Sequence, residues 1–249
     1  MDIAWADWAA LGLSAGLWAA YGWYADHSKW SDGSMTAAVD TVRHLWMRQM
    51  LKRDLRMIDT GILSNLVTGI GFFASTTIIA IGGLIALLGA VEQAVVTVSH
   101  LPVLTPVTRD GLTLRIFVLL GLFGYAFFKF AWAFRLSNYC SILVGAAPSP
   151  PVADAAAEAI SGRIARVHAL VGVHFNRGLR AYFYALPVLV WFVHPAAFVA
   201  ATAVIVHELW RREFRSRALA ELRAMASDVA GPVNGKPDGN GDETKAEKS

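Results

Sequence analysis

The chain has 249 residues, of which 55% are hydrophobic and 16% charged, where soluble domains carry about 25% charged residues. Mean hydropathy is +0.45, and the apolar residues come in runs longer than a soluble core needs, which excludes an ordinary soluble domain and indicates a membrane protein. The formal charge of +3 is modest and clusters by segment, so it bears on membrane orientation and carries no nucleic-acid-binding signature.

The single Cys140 excludes an internal disulfide. Asp2 and Asp7, with no basic leader before the first apolar run, argue against a signal peptide. Ile3 to Tyr24 predicts a first span, about 33 Å long at roughly 1.5 Å per residue. Trp5 and Trp8 at one end and Trp23, Tyr24 and Trp30 at the other have the distribution of interfacial aromatic belts. Within it, Gly12-Leu13-Ser14-Ala15-Gly16 fits both a nucleophile elbow and a G-x-x-x-G packing face. The setting, one apolar helix with no strand, favours packing against a neighbouring helix.

Residues 26–61 carry Lys29, Arg43, Arg48, Lys52, Arg53 and Arg56, which predicts a cytoplasmic loop. From Met35 onward Val39, Val42, Trp46 and Met50 recur at helical spacing, predicting an amphipathic helix that lies on the inner membrane surface or caps the bundle. Ile62 to Val91 predicts a second span, long enough to tilt. Its Gly61, Asn65, Thr68, Phe72, Ser75 and Gly82 form a small and polar stripe, expected to face other helices. Residues 92–113 hold one basic residue, Arg109, and two prolines, as an external loop would.

Leu114 to Ala146 is helical in pattern and 33 residues long; about twenty residues cross a bilayer, so the crossing ends near Ala133. Lys129 then snorkels, and Arg135 and Asn138 sit at the inner interface on one face with Tyr139 and Ile142. Pro148, Pro150 and Pro151 end this helix, and Asp154 to Glu158 start another, with residues 147–180 expected to be cytoplasmic. Arg163, Arg166, Leu170, His174 and Arg177 follow one stripe, while Asn176 and Arg180 point elsewhere. The spacing of His168 and His174 sets their rings about 120° apart, against a shared metal site.

His194-Pro195 interrupts the next apolar stretch. A kink there gives one span from Ala181 to His207 and four crossings; a reversal gives two shorter segments that cross or re-enter, the first of them, Ala181 to Val193, only roughly 20 Å long against a core of about 30 Å. Arg211, Arg212, Arg215 and Arg217 favour the reversal, because it keeps them and the C-terminus cytoplasmic. From Asp228 to the end no apolar run remains, as in a disordered tail after a single membrane domain of residues 1–227.

Arg43-His44-Leu45-Trp46-Met47, Ser64-Asn65, Ser75-Thr76-Thr77, Arg135-Leu136-Ser137-Asn138, Gly178-Leu179-Arg180 and Ala185-Leu186-Pro187 leading to Trp191 stand in a recognisable order. In these stretches the chain resembles a family of bacterial and plant membrane proteins catalogued as domain-of-unknown-function family 599. It departs at His194, where plant members carry glycine before the proline, and at Ser64, where they carry arginine. The resemblance implies a multi-pass, all-helical membrane protein and brings no established activity.

The expected architecture is therefore an all-α integral membrane bundle of four to five membrane segments, with long helices reaching into the cytosol. Its polar residues are expected to converge at the inner surface: Arg135, Asn138, His174, Arg177 and Arg180 as an anion or headgroup site, with Asp59, Asn65 and Lys129 as polar helix contacts. Asp59 is a candidate ion-pair partner for one of the arginines. Snorkelling to headgroups under the positive-inside rule is the plainer reading of the same cations. A transport- or channel-associated protein, a lipid-associated protein and an assembly partner all fit. The expected partners are the lipid bilayer, anionic headgroups and other copies of the chain. Nothing points to a metal or cofactor, and an enzyme is least supported: there is no H-E-x-x-H, no paired carboxylates on one face and no Cys-His arrangement.

Overall fold

Long apolar runs interrupted by prolines and arginine-rich segments fold here into helices alone. The computed structural model describes residues 4–27, 33–99 and 108–230, with no strand among them. In chain order the helices are α1 (Trp5–His27), α2 (Met35–Met50), α3 (Met57–Gly89), α4 (Val91–Ser99), α5 (Arg109–Ala146), α6 (Asp154–Val190), α7 (Pro195–Arg215) and α8 (Arg217–Ala230). Lys29, Trp30, the two prolines of the external loop and the tail from residue 231 lie outside the described residues.

Local chemistry sets several of the ends. Ser34 caps α2 by accepting from Ala37 N at 3.1 Å, and Thr108 caps α5 by accepting from Gly111 N at 3.1 Å. His194 caps α7 in the same way, its ring nitrogen Nδ1 accepting from Ala196 N at 3.1 Å, with Pro195 in the first helical turn where its missing N–H costs nothing.

The chain reverses at 191–195. Trp191 stacks on Phe198 at 4.8 Å, and Tyr184 lies 6.5 Å from Phe198, so the start of α7 sits against the end of α6. A dozen residues later Leu209, Arg212 and Glu213 are beside Leu179 and Arg180, so α7 runs back antiparallel to α6. The break is a turn and not a kink. Beyond Ser216, α8 folds onto α2, and Arg223 donates to the carbonyl of Gly33.

At the centre stands α5, packed along α6 on one side and α3 on the other. The joint is aromatic: Phe130 is fully buried and meets Phe73, Phe175 and Tyr182 at 5.5, 5.6 and 5.6 Å. Edge-to-face and tilted rings at these separations add specific attraction to the burial. Gly178 makes this approach possible, since a Cβ there would lie 2.5 Å from the Phe130 ring. Thr77 and Tyr182 close the joint through a 2.7 Å hydroxyl pair.

Four expectations are corrected. The stripe on α3 is reversed: Asp59, Leu63, Ile70 and Thr77 are buried, whereas Gly61, Asn65, Thr68, Phe72, Ser75 and Gly82 are exposed. The inward face carries Leu63 and Ile70 against α5, and the stripe lies outside together with large apolar side chains such as Leu66, Ile78 and Ile85. Gly12 and Gly16 meet no neighbour within 4 Å either, because α1 turns its Ser14 face inward. The stretch expected to be an external loop contains most of a helix, α4, whose apolar Val91 caps the core beside Leu112 and Ile116. Residues 217–230 are helical, so helix continues three residues into the expected tail.

Two helices, α3 and α5, are long and apolar enough to cross a membrane, with mean hydropathies of 2.1 and 1.8 over their best windows. Among the described residues α1, α6 and α7 fall short of that measure. The Trp and Tyr residues of α1 score low on a hydropathy scale, and α6 and α7 are apolar over only half their length.

Candidate functional site

Polar side chains gather at two ends of the bundle. At the end away from α2, Asp7 of α1 accepts from Trp191 Nε1 at 2.7 Å and from Arg115 at 3.3 Å. Arg115 is 4% exposed, and its guanidinium also lies over the Trp191 and Phe192 rings at 5.3 and 5.4 Å. This joint fastens α1, α5 and α6 together.

The α2 end is richer and more open. Asp26, in the last turn of α1, receives two arginines from α6, one on each carboxylate oxygen. Arg177 Nε reaches Oδ2 at 3.0 Å and an Arg180 terminal nitrogen reaches Oδ1 at 2.9 Å. Arg177 and Arg180 lie on different sides of α6 by spacing, but the end of α1 sits between them and their long side chains converge. Arg180 is the more buried of the two and lies over the Tyr21 ring at 5.7 Å. Three cavities of about 270, 250 and 210 Å³ surround this group, and Arg180 lines all three. The second is the most basic, with Arg43, Arg180 and Arg212 against one carboxylate, Glu213. Thr36 holds that carboxylate through its N–H at 3.1 Å and its hydroxyl at 2.7 Å, which ties α2 to α7.

The other expected site residues are distributed differently. Arg135 is exposed and turned onto Tyr139, donating from Nε to its hydroxyl at 2.7 Å; Asn138 is exposed beside it. Both project from the outer face of α5, away from the α1–α6 contact, and do not join Arg177 and Arg180. Asp59 is 1% exposed and pairs with Arg53, also accepting from Trp46 Nε1 at 2.7 Å. It therefore serves the α2–α3 joint and none of the three site arginines. Asn65 is exposed on α3 and makes no helix contact of the kind expected. Lys129 stands over Tyr125 at 5.1 Å, and Tyr125 lines the third cavity with Arg177 and Arg180. His174 faces Trp132 at 6.3 Å. Partial burial, then Lys129 and Arg177, hold its pKa below the ordinary value.

The residues missing from the sequence reading are Asp26, Thr36, Arg43, Arg212 and Glu213 in their site role. Asp26 carried a usable signal. A carboxylate in the last turn of an apolar helix, just after Trp23 and Tyr24, demands a cationic partner. Glu213 carried none, because four arginines surround it in sequence and its partner is a threonine far away on α2.

No curated protein and no solved structure matches this chain. The model of the family described as "Protein of unknown function, DUF599" matches residues 9–218, a stretch that includes Asp26, Arg43, Arg177, Arg180 and Glu213. The chain belongs to that family.

Proposed function

We propose that this is a multi-pass protein of a bacterial inner membrane, associated with transport or a channel, whose basic crevice at the inner leaflet receives an anionic solute or headgroup. It crosses five times, through α1, α3, α5, α6 and α7, with α2 and α8 on the cytoplasmic surface. The charge distribution supports this orientation: Arg43, Arg48, Lys52, Arg53 and Arg56 lie at the α2 end, as do the arginines of α7 and the first half of α6. The protein acts by binding and carries no catalytic centre of its own.

One observation carries the reading. Arg180 is largely buried, yet it lines all three of the cavities described above at the α1–α2–α6–α7 junction. Asp26 offsets part of the charge of Arg177 and Arg180, so the crevice is a moderated anion site. Guanidinium forks suit phosphate or carboxylate geometry, and Asn176 and Thr36 add neutral hydrogen-bonding groups. The test is native mass spectrometry of protein purified in mild detergent, alone and after Arg180→Gln, with melting temperature as a check on folding. Retained anionic species should fall severalfold in the variant. Equal retention by two equally folded proteins overturns the reading.

A second reading, an assembly partner that pairs with other copies of itself, has its own support. The exposed face of α3 presents Gly61, Asn65, Thr68, Ser75 and Gly82, and small residues of this kind let membrane helices approach closely. Its test is mass measurement in detergent after Gly82→Leu: loss of a dimer supports it, and a monomeric wild type overturns it.

A further inference from the structure

A fourth cavity lies where α2, α3 and α6 meet and adjoins the arginine crevice, sharing Val39 and Arg43 with its second cavity. It measures about 370 Å³ and its walls are mostly apolar: Leu66 and Ile70 from α3, Val39 from α2, and Val171 and Phe175 from α6. Besides Asn65, the polar side chains Arg43 and His168 line it. Arg43 lies so close to Gly172 that a Cβ there would stand 2.7 Å from its guanidinium, and Asp40 holds that guanidinium through one terminal nitrogen. His168 is 5% exposed, packs edge-on against Trp46 at 5.6 Å, and its Nδ1 has no hydrogen-bond partner. A buried imidazole nitrogen without a partner costs free energy unless something polar enters the cavity.

The cavity also has a side entrance. Asn65, Leu66 and Gly69 are exposed on the outer face of α3, and nothing lies within 4 Å of a Cβ built at Gly69. An apolar slot open along a candidate membrane helix, closed at one end by an arginine and an unpartnered histidine, has the polarity of one amphiphile. We propose that it seats a single anionic phospholipid of the inner leaflet, its headgroup at Arg43 and His168 and one acyl chain lying along Leu66, Gly69 and Ile70 against Phe175. Charge complementarity selects the anionic headgroup, and the apolar walls select a lipid over a free phosphate. Arg43 also lines the second cavity of the arginine crevice, so the lipid and the crevice share one wall.

The full-length protein in nanodiscs of phosphatidylcholine and phosphatidylglycerol, doped with phosphatidylglycerol carrying a photoreactive acyl chain, tests this. Peptide mapping should find crosslinks concentrated on residues 66–70 and 171–175. Gly69→Leu fills open space and favours helix, so it should leave the fold intact and reduce those crosslinks severalfold. Arg43→Gln should remove the preference over a matched phosphatidylcholine probe, whereas Arg180→Gln should leave the crosslinks unchanged. Failure here is thus distinguishable from failure of the crevice. Labelling spread evenly over all exposed helix faces, crosslinks indifferent to Gly69→Leu, or equal labelling by both probes overturns the proposal.

Discussion

Asp26 is the residue on which the α2 end turns, because two guanidinium groups share its one carboxylate. Removing one member of such a group leaves charge without a partner, and breaking buried pairs costs about 3–5 kcal/mol. Asp26 and Arg180 are mostly buried and Arg177 is a third exposed, so screening lowers this, and Asp26→Asn should destabilise by about 2 kcal/mol. Thermal unfolding in detergent measures it, and Asp26→Asn with Arg177→Gln should recover part of the loss; an unchanged melting temperature in the single variant would contradict the geometry. His168 gives a pH-dependent prediction. Burial first, and Arg43 second, push its pKa down to about 4, while Trp46 supplies no charge. A folded pKa below the ordinary value of about 6.5 favours the neutral ring, so this contribution is complete above about 6.5 and is lost as pH falls towards 4. The wild type should lose melting temperature between pH 6.5 and 4.5 more steeply than His168→Phe; parallel curves would show that the ring is not held neutral.

Between elements, the α5–α6 contact is the tightest. At Gly178 any side chain strikes Phe130, and overpacking of this kind costs typically about 1–3 kcal/mol. Gly178→Ala should therefore destabilise by at least about 1 kcal/mol despite raising helix propensity, as measured by thermal unfolding, with Phe130→Leu in the same chain restoring part of it. A more stable Gly178→Ala would mean that the two helices stand further apart. Helix positions were legible in the sequence wherever composition alone decides them. Proline runs bound α5 and α6, the Asp154 start is visible, and the α2 periodicity is regular. Which side of a helix packs was not legible on α1 or α3. On an apolar helix both faces have similar composition, so the choice rests with the neighbouring helices; α5 engages Leu63 and Ile70, Tyr182 of α6 engages Thr77, and the stripe is left outside. α4 and α8 were missed because they are short, nine and fourteen residues, and each continues directly from a longer helix.

At the scale of the whole molecule, the reversal at 191–195 brings the end of α7 back beside α2, and α8 continues onto it. On the membrane reading proposed above, the start of α1 and the end of α7 face opposite sides, with Ser216 in the cytoplasm. Cys140 is fully buried and gives no background, so Ser216→Cys can be labelled directly in right-side-out and inverted vesicles. Labelling should appear only in the inverted vesicles; labelling from outside would overturn five crossings. The candidate site was half legible at this scale. Arg177 and Arg180 stood out as cations at the start of an apolar stretch, but Arg135 and Asp59 were grouped with them because all share one depth. Depth follows from hydropathy, whereas azimuth around the bundle follows from packing, and it is azimuth that separates Arg135 on Tyr139 from Arg180 on Asp26.

The two carboxylates of α1 have one more consequence. Asp7 and Asp26 each hold arginine from another helix, and they stand 19 positions apart on one uninterrupted helix. At about 1.5 Å per residue that is roughly 28 Å, close to the hydrocarbon thickness of a bilayer. In a membrane, α1 is then a gauge with a charged stop at each end. A thinner bilayer would leave apolar helix in water, and a thicker one would draw one carboxylate and its arginine into hydrocarbon. On the five-crossing reading proposed above, the spacing of these two carboxylates would thereby match the fold to a bilayer of about that thickness.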